Sequence, residues 1–427
     1  MIAIHQTSVL LLLIFTVVLT AHGRNFGSDA AFLRQHTEII TLSSSDGQAK
    51  VLVAPQWQGR VMTSTLAGDA GFSFGWINYD LIPGGIAPEA ERSGLEKHIY
   101  VFGGAERFWL GPEGGQYSLY FAPDAPAYEF EYWKTPALID TEAYDVVKAR
   151  VSKWNPRLSR LRSNAADPTR VSFVKQAALT NKAGFTFELR INRTVSLLDN
   201  RQIERIIDTE LPASTRAVAF STDNTITNIG LEDWHADTGL PSIWLLGMLK
   251  HSPRSVVGIP VRDVPGAAVR SDYFGAVDAD RLRKQGQTVF FKADGQYRSK
   301  IGIPPSHATP FAGSYDDLNK VLTIVHYTLP ADATDRPYVK SQWQHHQAPY
   351  DGDVINAYND GAPTPDSKPL GPFYELESSS PALALERGQS YTHTQTTIHL
   401  QGAEAVLNAI SKDILGASLE QFRSVFK

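Results

Sequence analysis

Alternation of apolar and polar positions dominates the chain from residue 24 onward. From Gly184 to Asn192, Phe185, Phe187, Leu189 and Ile191 alternate with Thr186, Glu188, Arg190 and Asn192. That period of two predicts a strand with one buried face. Val321 to Leu329 is apolar on both faces and predicts an interior strand. Similar runs fall at Lys50 to Ala54, Arg60 to Leu66, Tyr117 to Phe121, Val171 to Val174, Thr215 to Ser221 and Thr392 to Leu400, with Gly, Pro, Asn and Asp clusters between them. Helical periodicity is confined to the end, where Val406, Leu407, Ile410 and Ile414 share a face and predict a short C-terminal helix. Strands at this density without a βαβ rhythm predict an all-β fold, a large antiparallel sandwich. Lys153 to Thr169 and Ala331 to Pro369 read as long loops, and no composition shift divides the chain. Residues 24–427 are therefore expected to form a single domain.

The pattern is different at the N-terminus. Residues 1–23 contain no Lys, Arg, Asp or Glu, and Val9 to Leu19 is an apolar run broken only by Thr16. That run is shorter than the roughly 20 residues of a membrane-spanning helix and suits a signal-peptide core. Ala21-His22-Gly23 supplies small residues for cleavage, so 1–23 reads as a signal peptide and the mature chain begins at Arg24. The expected location is secreted or periplasmic, with no stable membrane insertion after cleavage; an uncleaved anchor is the alternative. Absence of cysteine excludes a disulfide framework, thiolate metal sites and cysteine nucleophiles. A net charge of −5 argues against a nucleic-acid or anionic-membrane partner.

Aromatic residues recur in polar surroundings, as in Trp76 to Tyr79, Trp109 beside Arg107, and Trp343 among Gln342, Gln344, His345 and His346. Sugars present C–H faces that stack on rings and hydroxyls that need planar polar partners, so this mixture suits a carbohydrate ligand, although aromatics also fill large β cores. Three segments concentrate such groups. In Phe102 to Gln116, glycines permit close backbone approach while Glu106, Arg107 and Glu113 supply donors and acceptors. This segment lacks the Lys-Ser/Thr ending of a phosphate loop and reads equally as a turn joining Phe108 to Leu110 with Gln116 to Phe121. In Trp343 to Gly361, His345 and His346 point to opposite sides of an extended chain and do not suit one metal ion. Asp351 and Asp353 lack the spacing of a calcium loop, and with Asn356 and Asn359 they read as ligand-binding groups or as a polar surface loop. In Gly371 to Pro381, Glu375 and Glu377 share one strand face roughly 7 Å apart. Each raises the other's proton affinity, which suits one of them as a base near neutrality; two solvated glutamates at a strand edge is the plainer reading. His393 and His399 share a face but lie roughly 20 Å apart, too far for a common metal.

Leu376-Glu377 followed by Ser378 to Pro381, the turn at Gly388 and the strand from Tyr391 resemble the C-terminal part of galactose mutarotases (aldose 1-epimerases). Gly59 to Met62 is similar to the early strand of that fold. Phe102 to Gln116, Gly352 to Gly361 and Gly371 to Pro381 together resemble a group of exported bacterial proteins in the mutarotase-like superfamily. The resemblance implies a β-supersandwich and, at Glu377, the general base. Those enzymes carry an Asn-His pair where this chain reads Asn228-Ile229, and His235 is the nearby imidazole.

The expected catalytic residues are Glu377, His235 and His346. The expected sugar-binding residues are Arg107, Trp109, Glu113, Trp343, His345, Asp353, Asn356, Asn359 and Glu375. No metal and no cofactor is implied. Three functions stay open: acid/base chemistry on a sugar ring, non-catalytic glycan binding, and polysaccharide hydrolysis or elimination.

Overall fold

The alternation at Gly184 to Asn192 is realised in the strand Thr186–Leu197, where Phe187, Leu189, Ile191, Arg193, Val195 and Leu197 are buried in strict alternation. In the computed structural model, which describes residues 24–147, 167–364 and 366–427, this strand belongs to a ten-stranded antiparallel sheet. Its strands lie in the order Leu282–Gln285, Thr288–Lys292, Ser255–Pro260, Phe311–Asp316, Val321–Tyr327, Ser390–Gln401, Arg216–Asn228, Thr186–Leu197, Arg170–Thr180 and Asp145–Val146. Val321–Tyr327 is interior, pairing with Phe311–Asp316 on one side and Ser390–Gln401 on the other. A second sheet has five strands, in the order Ser299–Ile303, Ile355–Asn359, Phe373–Ser379, Ser242–Lys250 and Arg107–Gly111. Ile40–Ser43, Lys50–Ala54 and Arg60–Thr65 form a third, three-stranded sheet.

The large sheet and the five-stranded sheet face each other across one continuous apolar core that includes Phe187, Ile191, Val325, Leu245, Ile301 and Leu376. A polar seam crosses it. Arg193 pairs with Glu106 at 2.9 Å with both side chains fully buried, Thr222 donates to the same oxygen at 2.6 Å, and Gln395 donates to the other at 3.1 Å. Ser378, from the five-stranded sheet, donates to Gln395 at 2.7 Å and bonds His393 Nε2 at 2.8 Å. With its charges paired, such a seam fixes the register between the sheets, because sliding either one leaves buried charge unpaired.

The outer face of the ten-stranded sheet is apolar at Phe290, Leu322, Ile324, Ile398 and Leu400, and two C-terminal helices, Glu404–Leu415 and Leu419–Ser424, cover it with Leu407, Ile410, Leu415 and Phe422. Three further helices fall where the pattern predicted none, the single turn Ala137–Asp140 and two longer ones. Phe26–His36 starts on an Asn25 cap, and Asn200–Ile207 on an Asp199/Gln202 capping box. Their apolar stripes span too few turns to stand out from β alternation, and the caps are their only local signal.

Two other expectations are corrected. Tyr117 to Phe121 is not a strand: Ser118 N–H bonds Gly115 O and Leu119 N–H bonds Pro112 O, folding the segment into turns. Ala331 to Pro369 is not loop throughout, since it contains the wholly buried strand Ile355–Asn359. The signal-peptide reading of 1–23 and most of the Lys153 to Thr169 loop lie outside the described residues.

Candidate functional site

Strand register decides which side chains meet on the face of the five-stranded sheet turned away from the sandwich core. Glu377 pairs across with Asn356 on one side and Leu246 on the other, and Leu246 pairs with Arg107. One step along the same face, Glu375 pairs with Tyr358 and Met248, and Tyr358 with Lys300; in the other direction, Ser379 pairs with Trp244, and Trp244 with Trp109. Alternation along each strand therefore brings two glutamates, a lysine, an arginine, an asparagine and two tryptophans onto one surface.

Glu377 has no exposed surface, and its two oxygens are treated differently. Oε2 accepts from Lys300 Nζ at 2.7 Å and from the Trp244 indole at 2.9 Å, while Oε1 has no partner. The Lys300 ammonium also lies 4.7 Å from the Trp244 ring centre, a cation–π contact. The surrounding carboxylates hold this ammonium: burial opposes its charge, but Glu377 and Glu113 outweigh it and raise the Lys300 pKa. Arg107 Nη2 donates to Glu375 Oε1 at 2.5 Å, its guanidinium stands 4.7 Å from the Trp109 ring, and Nε has no partner. Burial, the largest cause, pushes the Glu375 carboxyl up to about 7; the Arg107 charge pulls against it and the Glu377 charge adds to it. The Trp109 indole nitrogen is a further buried donor without a partner.

Two loops border this face. Glu113, raised by burial with Lys300 pulling against it, accepts from the Trp343 indole at 3.1 Å. Trp343 ends an aromatic series in which Trp244, Trp109, Tyr120, Trp133 and Trp343 follow one another at ring separations of 5.5, 5.5, 5.8 and 5.6 Å. On the other side Tyr273 donates to Asp353 and accepts from Asn356 Nδ2 at 3.0 Å. Asp353 is pushed up to about 6 by burial, against the pull of Arg270, whose Nη1 is 3.3 Å away.

Of the expected site residues, Glu377, Glu375, Arg107, Trp109, Glu113, Trp343, Asn356 and Asp353 meet at or beside this face. His235 does not: it is exposed on the loop after Arg216–Asn228, and its polar contacts are the backbone bonds of a turn with Thr238. His346 is buried against Gly115 and bonds Gln342 O at 2.9 Å, so it holds the Trp343 loop in place. His345, its neighbour, is exposed. Asn359 lies on the opposite side of its strand and clamps the next loop through Gly295 N at 2.8 Å and Tyr297 O at 2.8 Å. Glu106 likewise turns into the polar seam, because its neighbour Arg107 occupies the outer face. Asn228 holds the turn to Leu385 and Glu232. Arg270 pairs with both Asp351 and Asp353.

Sequence reasoning missed Lys300, Trp244 and Tyr273. Lys300 was legible in principle as a lone charge inside the buried strand Ser299–Ile303, but Trp244 sits in a run so apolar that it reads as core.

Fold and site together define an antiparallel β-sandwich protein with a buried, mixed-charge, aromatic-bordered face on its smaller sheet. The chain belongs to a family of unknown function, DUF6786, which matches residues 24–426. Comparison with functionally curated proteins finds no match. Among solved structures it is similar to the Slr1438 protein of Synechocystis sp. PCC 6803, at 11% identity and a TM-score of 0.46 over 86% of this chain and 96% of that one. A galactose mutarotase related enzyme from Lactobacillus acidophilus is similar at 7% identity and a TM-score of 0.41, over 86% and 97% of the two chains. A 4-alpha-glucanotransferase from Thermococcus litoralis is similar at 6% identity and a TM-score of 0.36, over 86% of this chain and 37% of that one.

Proposed function

We propose that this protein binds a sugar ring on the Glu377 face and interconverts its anomers by acid/base chemistry. One observation carries the reading: buried Glu377 Oε1 is unpartnered beside an Oε2 fixed by Lys300 and Trp244, on the face that also holds the unpartnered Arg107 Nε and Trp109 Nε1. A fixed acceptor next to free donors and indole rings matches a ligand whose hydroxyls both donate and accept and whose C–H face is apolar. The sequence resemblance of Leu376 to Pro381 to the mutarotase base loop supports the same assignment.

In this reading Glu377 Oε1 takes the proton of the anomeric hydroxyl as the bond from the anomeric carbon to the ring oxygen opens. Glu375, with a proton affinity near neutrality, protonates the ring oxygen, and the steps reverse after rotation of the carbonyl group. Both carboxyls are buried, so binding of a ring requires a local opening of this face.

Polarimetry of freshly dissolved α-D-glucose and α-D-galactose, with calorimetric titration of each sugar, tests this. Glu377→Gln is expected to lower turnover by about 10²–10⁴-fold while changing affinity only a few-fold. Because the variant removes a buried partner of Lys300, at a cost of roughly 3–5 kcal/mol, its folding is checked by urea unfolding. Turnover equal to wild type in a folded Glu377→Gln protein contradicts the assignment, and sugar binding without turnover in the wild type leaves a glycan-binding protein.

A further inference from the structure

We propose that the protein takes an oligosaccharide, with a neutral second sugar unit seated in a cleft that adjoins the Glu377 face. The inference rests on the sugar-binding reading and names its substrate class. The cleft has a volume of about 450 Å³, within the range of small-molecule sites. It lies between the segment around Pro265 to Arg270, the turn Pro304 to His307, and the loops carrying Arg336 and Tyr350 to Gly352.

Its walls have two characters. Pro265, Pro304 and Pro305 present rigid apolar surface, and Tyr350, its hydroxyl bonded to Ala236 O at 2.6 Å and its ring stacked on Tyr117, lines the cleft with them. Such surfaces suit the C–H face of a pyranose. In the same turn as Pro304 and Pro305 is His307, only 3% exposed. Its Nδ1 bonds Ser306 Oγ at 2.9 Å, its backbone is pinned to Pro304 O and to Arg262 N, and its Nε2 has no partner. A buried imidazole nitrogen without a partner, in the wall of a polar cleft, is costly unless a ligand or solvent bonds it.

The charges in the wall argue for a neutral occupant. Arg270 is paired with Asp351 at 2.6 Å and Asp353 at 3.3 Å, and Arg336 with Asp332 at 2.7 Å. Each guanidinium already has a carboxylate, so no uncompensated cation awaits an anionic ligand. Paired guanidinium donors and carboxylate acceptors instead suit hydroxyls, which need both.

Arg270 also ties the cleft to the Glu377 face. It lines the cleft, its Nη1 reaches Asp353, Asp353 accepts from Tyr273, and Tyr273 accepts from Asn356, the cross-strand neighbour of Glu377. Strand register places them side by side as well, since Arg270 bridges Gly302 and Gly302 pairs with Asn356, which in turn pairs with Glu377.

Calorimetric titration with D-glucose, D-galactose, cellobiose, maltose, lactose and digalacturonic acid tests the proposal in the wild type, Ala267→Trp and His307→Ala. Ala267 is exposed at the cleft rim, so tryptophan there fills the cleft without disturbing the core. At least one neutral disaccharide is expected to bind tenfold or more tighter than its monosaccharide. Ala267→Trp should reduce that affinity to the monosaccharide value and leave monosaccharide binding unchanged, and His307→Ala should act in the same direction. Equal affinities for disaccharides and monosaccharides, a gain that survives in Ala267→Trp, or a larger gain for digalacturonic acid would overturn the inference while the reading of the Glu377 face stands. Failure of every sugar to bind removes both.

Discussion

At the residue scale, burial and partner decide what each ionisable group contributes. His393 and His399 are fully enclosed, and burial holds both imidazoles down to about 3, from 6.5 when free. Between these values the unfolded chain binds protons that the folded chain does not, so stability is fully present above pH 6.5 and is lost as pH falls toward 3. Glu375, Asp140 and Asp353 act in the opposite sense, since burial raises them to about 7, 6 and 6 and their contribution is lost as pH rises through those values. His399 stacks on Phe74 at 4.0 Å and bonds Thr323, and the amide of His399→Gln retains a partner for that hydroxyl. Urea unfolding from pH 6.5 to 4 should show the slope of stability against pH reduced in His399→Gln by up to about 1.4 kcal/mol per pH unit. An unchanged slope would mean that His399 titrates normally in the folded protein. The shared face of His393 and His399 was legible from their spacing, but their burial was not, because polar residues fill the inward positions of that strand.

At the scale of elements, the Trp343 loop shows how glycines position a functional side chain. A Cβ at Gly114 would stand 2.3 Å from Gln342 O, and one at Gly115 would stand 2.7 Å from the His346 ring. Gln116 then holds the backbone of His346 through both its amide oxygen and its amide nitrogen, at 3.1 and 2.9 Å. Gly114→Ala forces its new Cβ against the Gln342 backbone, so the 341–346 segment must move and Trp343 loses its seat on Glu113. Hydrogen exchange should accelerate at 341–346 while Phe373–Ser379 stays protected, and unchanged exchange would show that the close approach is not what fixes the loop. The sequence marked this glycine segment as turn or ligand loop, and it serves as the packing surface for another loop. The pairing of residues 114–116 with 342–346 has no local signature, whereas the common face of Glu375 and Glu377 follows from strand period alone.

At the scale of the whole molecule, the antiparallel β architecture was legible because alternation persists over long strands, and the C-terminal helix because Val406, Leu407, Ile410 and Ile414 keep a helical period. The division into sheets of three, five and ten strands was not, because register and partner are tertiary choices. The site arises from that division: Arg107, Trp244, Lys300 and Glu377 come from four different strands and meet only when Ser242–Lys250 lies between Arg107–Gly111 and Phe373–Ser379. Among the described residues no helix is long and apolar enough to cross a membrane. The most direct test of the account is a crystal structure of the protein soaked with D-galactose or D-glucose. A ring is expected on the outer face of the five-stranded sheet, with a hydroxyl in hydrogen-bonding reach of Glu377 Oε1 and the ring against Trp109 or Trp244. A well-ordered sugar bound elsewhere, with Glu377 Oε1 left without a sugar hydroxyl, would contradict it.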